Sequence, residues 1–323
     1  MKIKNTLLPI GLALIFLLAV LDFILGIFIQ NKQDKTLRIA RENETVSLLA
    51  LREYRTCNSF VLDILRNANQ HLPNFNELTP GDTVFFPNIT KMELDIQVYN
   101  KPDTTISTPR RELRNGMRQA IITWIEGNAV YKTSADSIWH SLENNLIVKT
   151  GDTIKTSDGG LVEIALDNKS VVRLGQNSEF TIHFFNIPRK KEIQANFALL
   201  SGDIWISIDQ FLEKNSLIYI SLPDISLKLK DARFRASILP EGSNSVHVYE
   251  GNVDVRHKNS HGSNNSLVKQ TEDGNWIQKV LAGNFLLVSP NTPKPSPEII
   301  PQFDKADAWV AWNRHRDAIF TQR

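Results

Sequence analysis

Apolar and polar residues alternate with a period of two through most of the second half of the chain. In the run from Val162 to Leu166, the first, third and fifth residues are apolar and Glu163 between them is charged. Successive side chains of a strand point to opposite faces, so this pattern predicts strands with one buried face and one wet face. Clusters rich in Gly, Asp, Asn and Ser separate the runs and predict an antiparallel meander. Glu163 is predicted to face water, on a side that a partner could contact.

A glycine followed by Asp or Asn recurs just before several of these runs. The glycines concerned are Gly127, Gly151, Gly202, Gly251 and Gly283. A calcium site needs several oxygens that converge on one ion, whereas these pairs are scattered singly. The pairs therefore predict turns in which glycine takes a positive φ.

The stretch from Gly151 to Ser207 resembles the core of the FecR domain, a bacterial extracytoplasmic module. The positions that carry the likeness are Gly151, Asp152, Ile154, Thr156, Asp167, Ser170, Val172, Leu174, Ser178, Phe180, Ile182, Leu199, Gly202 and Ile204. With its flanks the likeness covers about residues 120–290. It departs from the family at Asn168 and Lys169, where a D-G-S turn is usual, and at residues 228–234, where V-R-G-T is common. The resemblance implies an antiparallel β-rich domain, a sandwich or roll.

Residues 7–29 form a run of 23 residues with one charge, Asp22. At about 1.5 Å per residue a helix of this length spans a bilayer core of about 30 Å. The run therefore predicts a transmembrane signal anchor with a cytoplasmic tail at 1–6, in the inner membrane, with the bulk of the chain periplasmic. The alternative is a cleaved signal peptide, although no small-x-small site follows Ile29.

A compact β-α-α-β pattern is predicted over residues 36–88, with Thr45 and Ser59 as helix N-caps. Leu78, Pro80, Gly81, Asp82, Val84, Phe86 and Pro87 resemble the end of a LysM domain. That resemblance implies binding of N-acetylglucosamine glycans such as peptidoglycan. Carried over by position, the glycan-binding residues are Thr45, Val46, Asn76, Glu77 and Leu78.

The predicted fold class is mainly β, with the transmembrane helix, the small LysM-like domain, the FecR-like domain and a C-terminal helix. The predicted segments are 1–6 (tail), 7–29 (anchor), 30–44 (linker and first LysM strand), 45–88 (LysM-like domain), 89–119 (linker), 120–290 (FecR-like domain), 291–302 (Pro-rich connector) and 303–323 (helix). Trp309, Trp312, Ile319 and Phe320 fall near one side of that helix and predict docking onto the body.

The sequence offers little catalytic chemistry. It has no nucleophile elbow, phosphate-binding loop, dinucleotide fingerprint or C-x-x-C pair. Cys57 is the single cysteine and is predicted to lie in a core, and His183 is predicted to be exposed. We therefore expect no enzyme, no catalytic residues, no metal site and no cofactor. The formal net charge of +2 favours no class of partner, and no nucleic-acid partner is predicted.

These features predict a membrane-anchored binding protein that holds a FecR-like domain at peptidoglycan, where it contacts an unknown envelope protein. The alternative is a FecR-type signal transducer, since that family passes a signal from an outer-membrane receptor to a cytoplasmic sigma factor. Only six residues precede the apolar run, which weighs against a cytoplasmic regulatory domain. A non-catalytic subunit of an envelope complex is a third possibility.

Overall fold

The computed structural model of the protein describes residues 36–89, 120–136, 138–166, 170–186, 194–208, 216–258, 276–290 and 294–321. The α-helices are α1 (Val46–Tyr54), α2 (Ser59–Ala68) and α3 (Ala308–Thr321), and a 3-10 helix covers Gln302–Ala306. The strands are β1 (Thr36–Ile39), β2 (Thr83–Phe86), β3 (Ala120–Glu126), β4 (Ala129–Lys132), β5 (His140–Ser141), β6 (Ile147–Val148), β7 (Thr153–Thr156), β8 (Leu161–Ala165), β9 (Ser170–Leu174), β10 (Glu179–Asn186), β11 (Gln194–Ile208), β12 (Leu217–Ser221), β13 (Ile225–Ile238), β14 (Asn244–His257), β15 (Ile277–Leu281), β16 (Asn284–Val288) and β17 (Glu298–Ile299).

Three long strands, β11, β13 and β14, organise the large sheet. The first part of β11 pairs with β10 and β12, and its second part pairs with β9 and β13. Likewise β14 pairs with β16 early and with β15 late. The sheet therefore folds over into two layers. One runs through β10, β12 and β15, and the other through β3, β8, β9 and β16. The inner faces of the two layers pack together and form one apolar cluster.

Glycines at the five predicted turns take positive φ, between 68° and 93°. The requirement is strictest at Gly251, where an added Cβ would collide with the backbone carbonyl of Asp231. Glycine there lets β13 and β14 stay paired around a register shift.

In β10 the alternation of Phe180, Ile182 and Phe184 predicts that all three are buried, but a β-bulge changes the register at the end of the strand. The pairing with β11 shifts between Ile182 and Phe184. Because a shift of one residue reverses the faces, Phe184 is 44% exposed instead of buried, and Phe185 enters the core in its place. His183 is exposed, as predicted.

The N-terminal part has the predicted β-α-α-β order, with β1 antiparallel to β2. Thr45 caps α1 by accepting from the backbone N–H of Leu48. The cap of α2 is Asn58, not the predicted Ser59, because the Asn58 side chain accepts from the N–H of Val61. Cys57 is buried in this part's core, as predicted. That core also contains Ile121, Ala165, Val171 and Phe320 from the sheet and α3, so the N-terminal part packs onto the β domain.

The predicted C-terminal helix is divided at Asp307. The Asp307 carboxylate accepts from the N–H groups of Trp309 and Val310 at 2.8 and 3.2 Å, which caps α3 at its start. The preceding turn is the 3-10 helix.

The fold is mainly β, but the predicted membrane-spanning helix finds no support. Helix α3, at 14 residues, spans about 21 Å, which is short of the bilayer core of about 30 Å. Across the described residues no helix is both long and apolar enough to cross a membrane. The predicted anchor at 7–29 lies outside the described residues.

Candidate functional site

A row of directly paired residues crosses the outer face of one layer. Its members are Trp124, Glu163, Arg173, Trp205, Arg235, His247 and Phe285, on β3, β8, β9, β11, β13, β14 and β16. Cross-strand partners point to the same side of a sheet, so these side chains share one surface. We call this surface the covered face, because α3 and the 3-10 helix lie on it.

Helix α3 turns a largely polar side toward the covered face. Its most buried residues are Val310, Asn313, Arg316, Asp317 and Phe320, spaced by three and four. Of the four residues predicted to face inward, Phe320 is buried, whereas Trp309, Trp312 and Ile319 are half-buried. The helix therefore docks as predicted, but charged groups lie at the centre of its contact.

Glu163 is the centre of the first cluster on this face. Its carboxylate accepts from the Arg316 guanidinium at 2.6 and 3.2 Å and from Arg173 Nε at 2.7 Å. The hydroxyl of Thr123 donates to it at 2.8 Å. Glu163 and Arg173 are fully buried, and Arg316 is 1% exposed. The predicted position of Glu163 in water is wrong, because α3 covers that face of β8.

The two arginines keep Glu163 ionised. Burial alone would raise the pKa of this carboxyl, but the charges and hydrogen bonds of Arg173 and Arg316 outweigh burial and lower the pKa to about 2. A group ionised at every physiological pH is neither a general acid nor a strong base. Glu163 therefore acts as an anchor for guanidinium groups.

Asp317 of α3 is the second anchor. Its carboxylate accepts from Arg173 Nη1 at 2.5 Å and from Trp205 Nε1 at 3.3 Å, and Arg233 Nε lies 2.8 Å from it. Arg173 is thus shared between the sheet carboxylate of Glu163 and the helix carboxylate of Asp317. Carboxylates and guanidinium groups therefore alternate across the contact between the helix and the sheet.

A second cluster lies where the 3-10 helix meets the sheet. Arg235 donates to Asp203 at 2.7 Å and to Asp307 at 3.1 Å. The hydroxyl of Tyr249 donates to Asp304 at 2.7 Å, and burial and the Asp304 charge raise the pKa of Tyr249. We call the 3-10 helix and α3 together, residues 302–321, the C-terminal segment. Charged and polar pairs thus hold this segment at both ends.

His247 adjoins this second cluster. Burial lowers its pKa, and Arg235 adds to that effect. Asp304 and Asp307 oppose it. Although His247 Nδ1 lies 3.3 Å from Asp304, the two do not have hydrogen-bond geometry, so burial prevails.

A cleft of about 390 Å³ opens beside α3, between the helix and β14. It is lined by Arg233, Tyr249, Glu250, Arg314, Asp317 and Ala318. Arg233 already pairs with Glu250 and Asp317, and the Arg314 guanidinium lies 5.6 Å from the centre of the Tyr249 ring. Among the described residues no group of three His, Cys, Asp or Glu side chains is placed to hold a metal ion.

The predicted glycan-binding residues do not share one open surface. Thr45 and Val46 are buried against β3, where the Thr45 hydroxyl donates to the carbonyl of Thr123 at 2.7 Å. Glu77 is exposed, whereas Asn76 and Leu78 are half-buried.

The Asn76 side chain already makes hydrogen bonds within the protein. Its side-chain N–H donates to Glu143 at 3.1 Å, and its oxygen accepts from Asn145 at 3.2 Å. Because β3 covers Thr45 and Val46, a ligand could reach only the loop that contains Asn76 and Glu77. Glycan binding there stays a prediction.

Sequence reasoning missed Arg173, Arg316 and Asp317 as parts of one site. A signal was present, since charged residues occupy the middle of apolar strands and α3 carries an Arg-Asp pair after two tryptophans. What the sequence does not reveal is that these charges meet across about 140 residues of chain.

Comparison with known proteins identifies the central part of the β domain. The model of the FecR family, described as FecR protein, matches residues 152–254. This part of the chain is therefore a FecR domain, as its motifs predicted. It contains the covered-face residues from Glu163 to His247, whereas Trp124, Phe285 and α3 lie outside it. The family comparison gives no support to a LysM domain at 36–88, although the β-α-α-β order predicted there is present.

Two solved structures are similar over part of the chain. They are crystal structures, at 2.50 and 1.65 Å, of a candidate anti-sigma factor from Parabacteroides distasonis ATCC 8503. Each is 12% identical, with a TM-score of 0.35, and the match covers 49% of this chain and 63% or 64% of theirs. The match thus spans less than two thirds of the length of those structures. No curated protein matches the chain.

Proposed function

We propose that the protein is a FecR-type signal transducer of the cell envelope that works through protein contacts. The observation that carries this proposal is the FecR domain at residues 152–254. Resemblance to that family implies a relay from an outer-membrane receptor to a cytoplasmic sigma factor. The expectation of a peptidoglycan tether is weaker, because two of its five contact residues, Thr45 and Val46, are buried.

The objection to a transducer, which rested on the six residues before the apolar run at 7–29, stays untested, because that segment lies outside the described residues. A place in the envelope outside the cytoplasm is part of the proposal, since the FecR resemblance implies an extracytoplasmic module.

A non-catalytic role is also part of the proposal. The acidic groups of the covered face are engaged by arginines, as Glu163 is by Arg173 and Arg316 and Asp203 is by Arg235. Such pairs suit recognition and the attachment of one segment to another better than proton transfer, which needs a group with a pKa near the working pH.

The test is a deletion strain complemented with full-length variants, with transcript profiles as the readout. A transducer predicts a set of transcripts that changes on deletion and returns with the wild-type gene. Asp254→Ala, on the opposite layer, should complement fully, whereas Ile164→Asp, which places a carboxylate in the core, should not.

Unchanged transcripts in the deletion strain would contradict the proposal. Recovery of the wild-type protein with purified sacculi, together with unchanged transcripts, would favour the peptidoglycan tether instead. Cell fractionation of the same strains tests the envelope location, which a purely cytosolic protein would contradict.

A further inference from the structure

Helix α3 fills a site whose chemistry differs from that of the protein's cores. The apolar cluster between the two layers consists of residues from 120 to 288 and, among the described residues, includes none from the C-terminal segment. Phe320 of that segment joins the other core, beside α1 and α2, and Ile319 packs against it. Removal of α3 would therefore leave the packing between the layers intact.

Ion pairs lie at the centre of the contact that holds α3. Desolvation of buried ions offsets much of their mutual attraction, so an interface centred on ion pairs holds less firmly than its number of contacts suggests. If the whole helix leaves, Arg316 and Asp317 are hydrated, and Glu163 keeps Arg173 and Thr123 as partners on the sheet. The sheet thus keeps an ion pair of its own, and the charged groups of the helix pass into water.

The emptied face would still recognise a specific kind of helix. Glu163 would accept a guanidinium, and Arg173 with Arg233 would take a carboxylate from the adjacent position. Earlier in the helix, stacked aromatic rings like those of Trp309 and Trp312, whose centroids are 5.2 Å apart, would lie on the face. The Trp312 ring lies 6.0 Å from the Arg173 guanidinium.

From this geometry we propose that the covered face is a helix-binding site, and that α3 is its internal, exchangeable occupant. The external occupant is a partner-protein helix that carries aromatic residues and, one to two turns later, an arginine followed directly by an acid. Exchange would also break two contacts between α3 and the N-terminal part, because Arg316 donates to the carbonyl of Asn43 at 2.8 Å and Arg52 donates to the carbonyl of Ile319. The inference rests on the proposed function in one respect, namely that the FecR domain acts through a protein partner.

The test uses a fluorescent peptide of residues 302–323 as the probe and the full-length protein as the receptor. In the wild type the internal helix competes with the peptide. Arg316→Ala with Asp317→Ala weakens the internal helix but leaves the sheet unchanged, so the peptide should bind this variant at least tenfold more tightly than the wild type. His315→Ala, on the exposed side of the same helix, is the matched control and should bind as the wild type does.

We call the Arg316→Ala/Asp317→Ala protein the opened variant. A peptide that carries the same two alanines should bind the opened variant at least tenfold more weakly than the natural peptide does. The proposal is overturned if the opened variant keeps its β-sheet circular dichroism and binds the natural peptide no better than the wild type.

If the opened variant does not fold, hydrogen exchange on the wild type decides. Amides of α3 that exchange well before those of β9 and β11 support exchange of the helix, and amides that exchange together with them overturn it. The proposed function is tested separately, by transcripts in cells, so either idea can fail alone.

Discussion

The two outer faces of the folded sheet carry similar sequence patterns and differ in what covers them. On the layer opposite the covered face, paired positions on successive strands are occupied by Phe184, Asn196, Tyr219, Lys228, Asp254 and Lys279. We call this the open face. There Lys279 lies 3.5 Å from Asp254, and the two side chains are 57% and 38% exposed. On the covered face, Arg316 lies 2.6 Å from Glu163, and the two are 1% and 0% exposed.

This difference teaches that a period of two identifies the residues that face the core but not the surroundings of the others. A surface ion pair such as Lys279–Asp254 is worth at most about 1 kcal/mol, because water screens it. Removing one partner from a buried pair costs about 3–5 kcal/mol, because the other charge stays buried. The comparison can therefore be tested by equal changes on the two faces.

The largest effect is expected for Glu163→Ala. This change leaves Arg173 and Arg316 buried without their shared carboxylate, so the free energy of unfolding should fall by about 3–5 kcal/mol. Urea unfolding of the full chain, followed by circular dichroism, measures it. Asp254→Ala, an equal truncation on the open face, should change stability by less than about 0.5 kcal/mol. Equal losses in the two variants would remove the distinction between the faces.

A somewhat smaller effect is expected on acidification. The pKa of Glu163 is about 2 in the folded protein, below its ordinary value of 4.5. A lowered carboxyl pKa gives stability that is complete above pH 4.5 and is lost as the pH falls toward 2, here on the order of 3 kcal/mol. Urea unfolding at pH 7, 4.5 and 3 measures this loss. The Glu163→Gln variant should be less stable than the wild type at pH 7, and its free energy of unfolding should fall less between pH 4.5 and 3. If its free energy of unfolding falls as much as that of the wild type over this range, the acid sensitivity belongs to other groups.

The smallest effect concerns the start of the covering helix. Asp307→Ala removes the cap of α3 and a contact with Arg235, so the free energy of unfolding should fall by about 1 kcal/mol. Glu241→Ala, in an exposed hairpin turn, serves as the control and should be neutral. Thermal melts of both variants provide the readout. If Asp307→Ala melts as the wild type does, the cap contributes nothing to holding α3 on the covered face.

The sequence predicted the local elements of the β domain well. Turn glycines, strand alternation and FecR motifs are short-range signals, and the glycine φ values, the core residue Ile164 and the FecR domain follow them. It failed where a distant segment decides the outcome. Glu163 is 153 residues from Arg316, and nothing within β8 distinguishes a wet glutamate from one beneath a helix.

The N-terminal part shows the same limit. The β-α-α-β order and the Thr45 cap follow from local signals. Glycan contacts at Thr45 and Val46 were inferred as if the unit were free, but β3 packs on that side of it. Motif resemblance locates a loop in a fold, whereas its accessibility depends on packing between units.

The most direct test of the account is a double-mutant cycle between Glu163 and Arg316, measured by urea unfolding at pH 7. The cycle uses Glu163→Gln, Arg316→Met and both together, with the Asp254 and Lys279 pair of the open face as a parallel cycle. If buried ion pairs hold the helix, the coupling energy between Glu163 and Arg316 should be about 2 kcal/mol or more, against less than about 0.5 kcal/mol for the open pair. A coupling energy below about 0.5 kcal/mol between Glu163 and Arg316 would contradict the account.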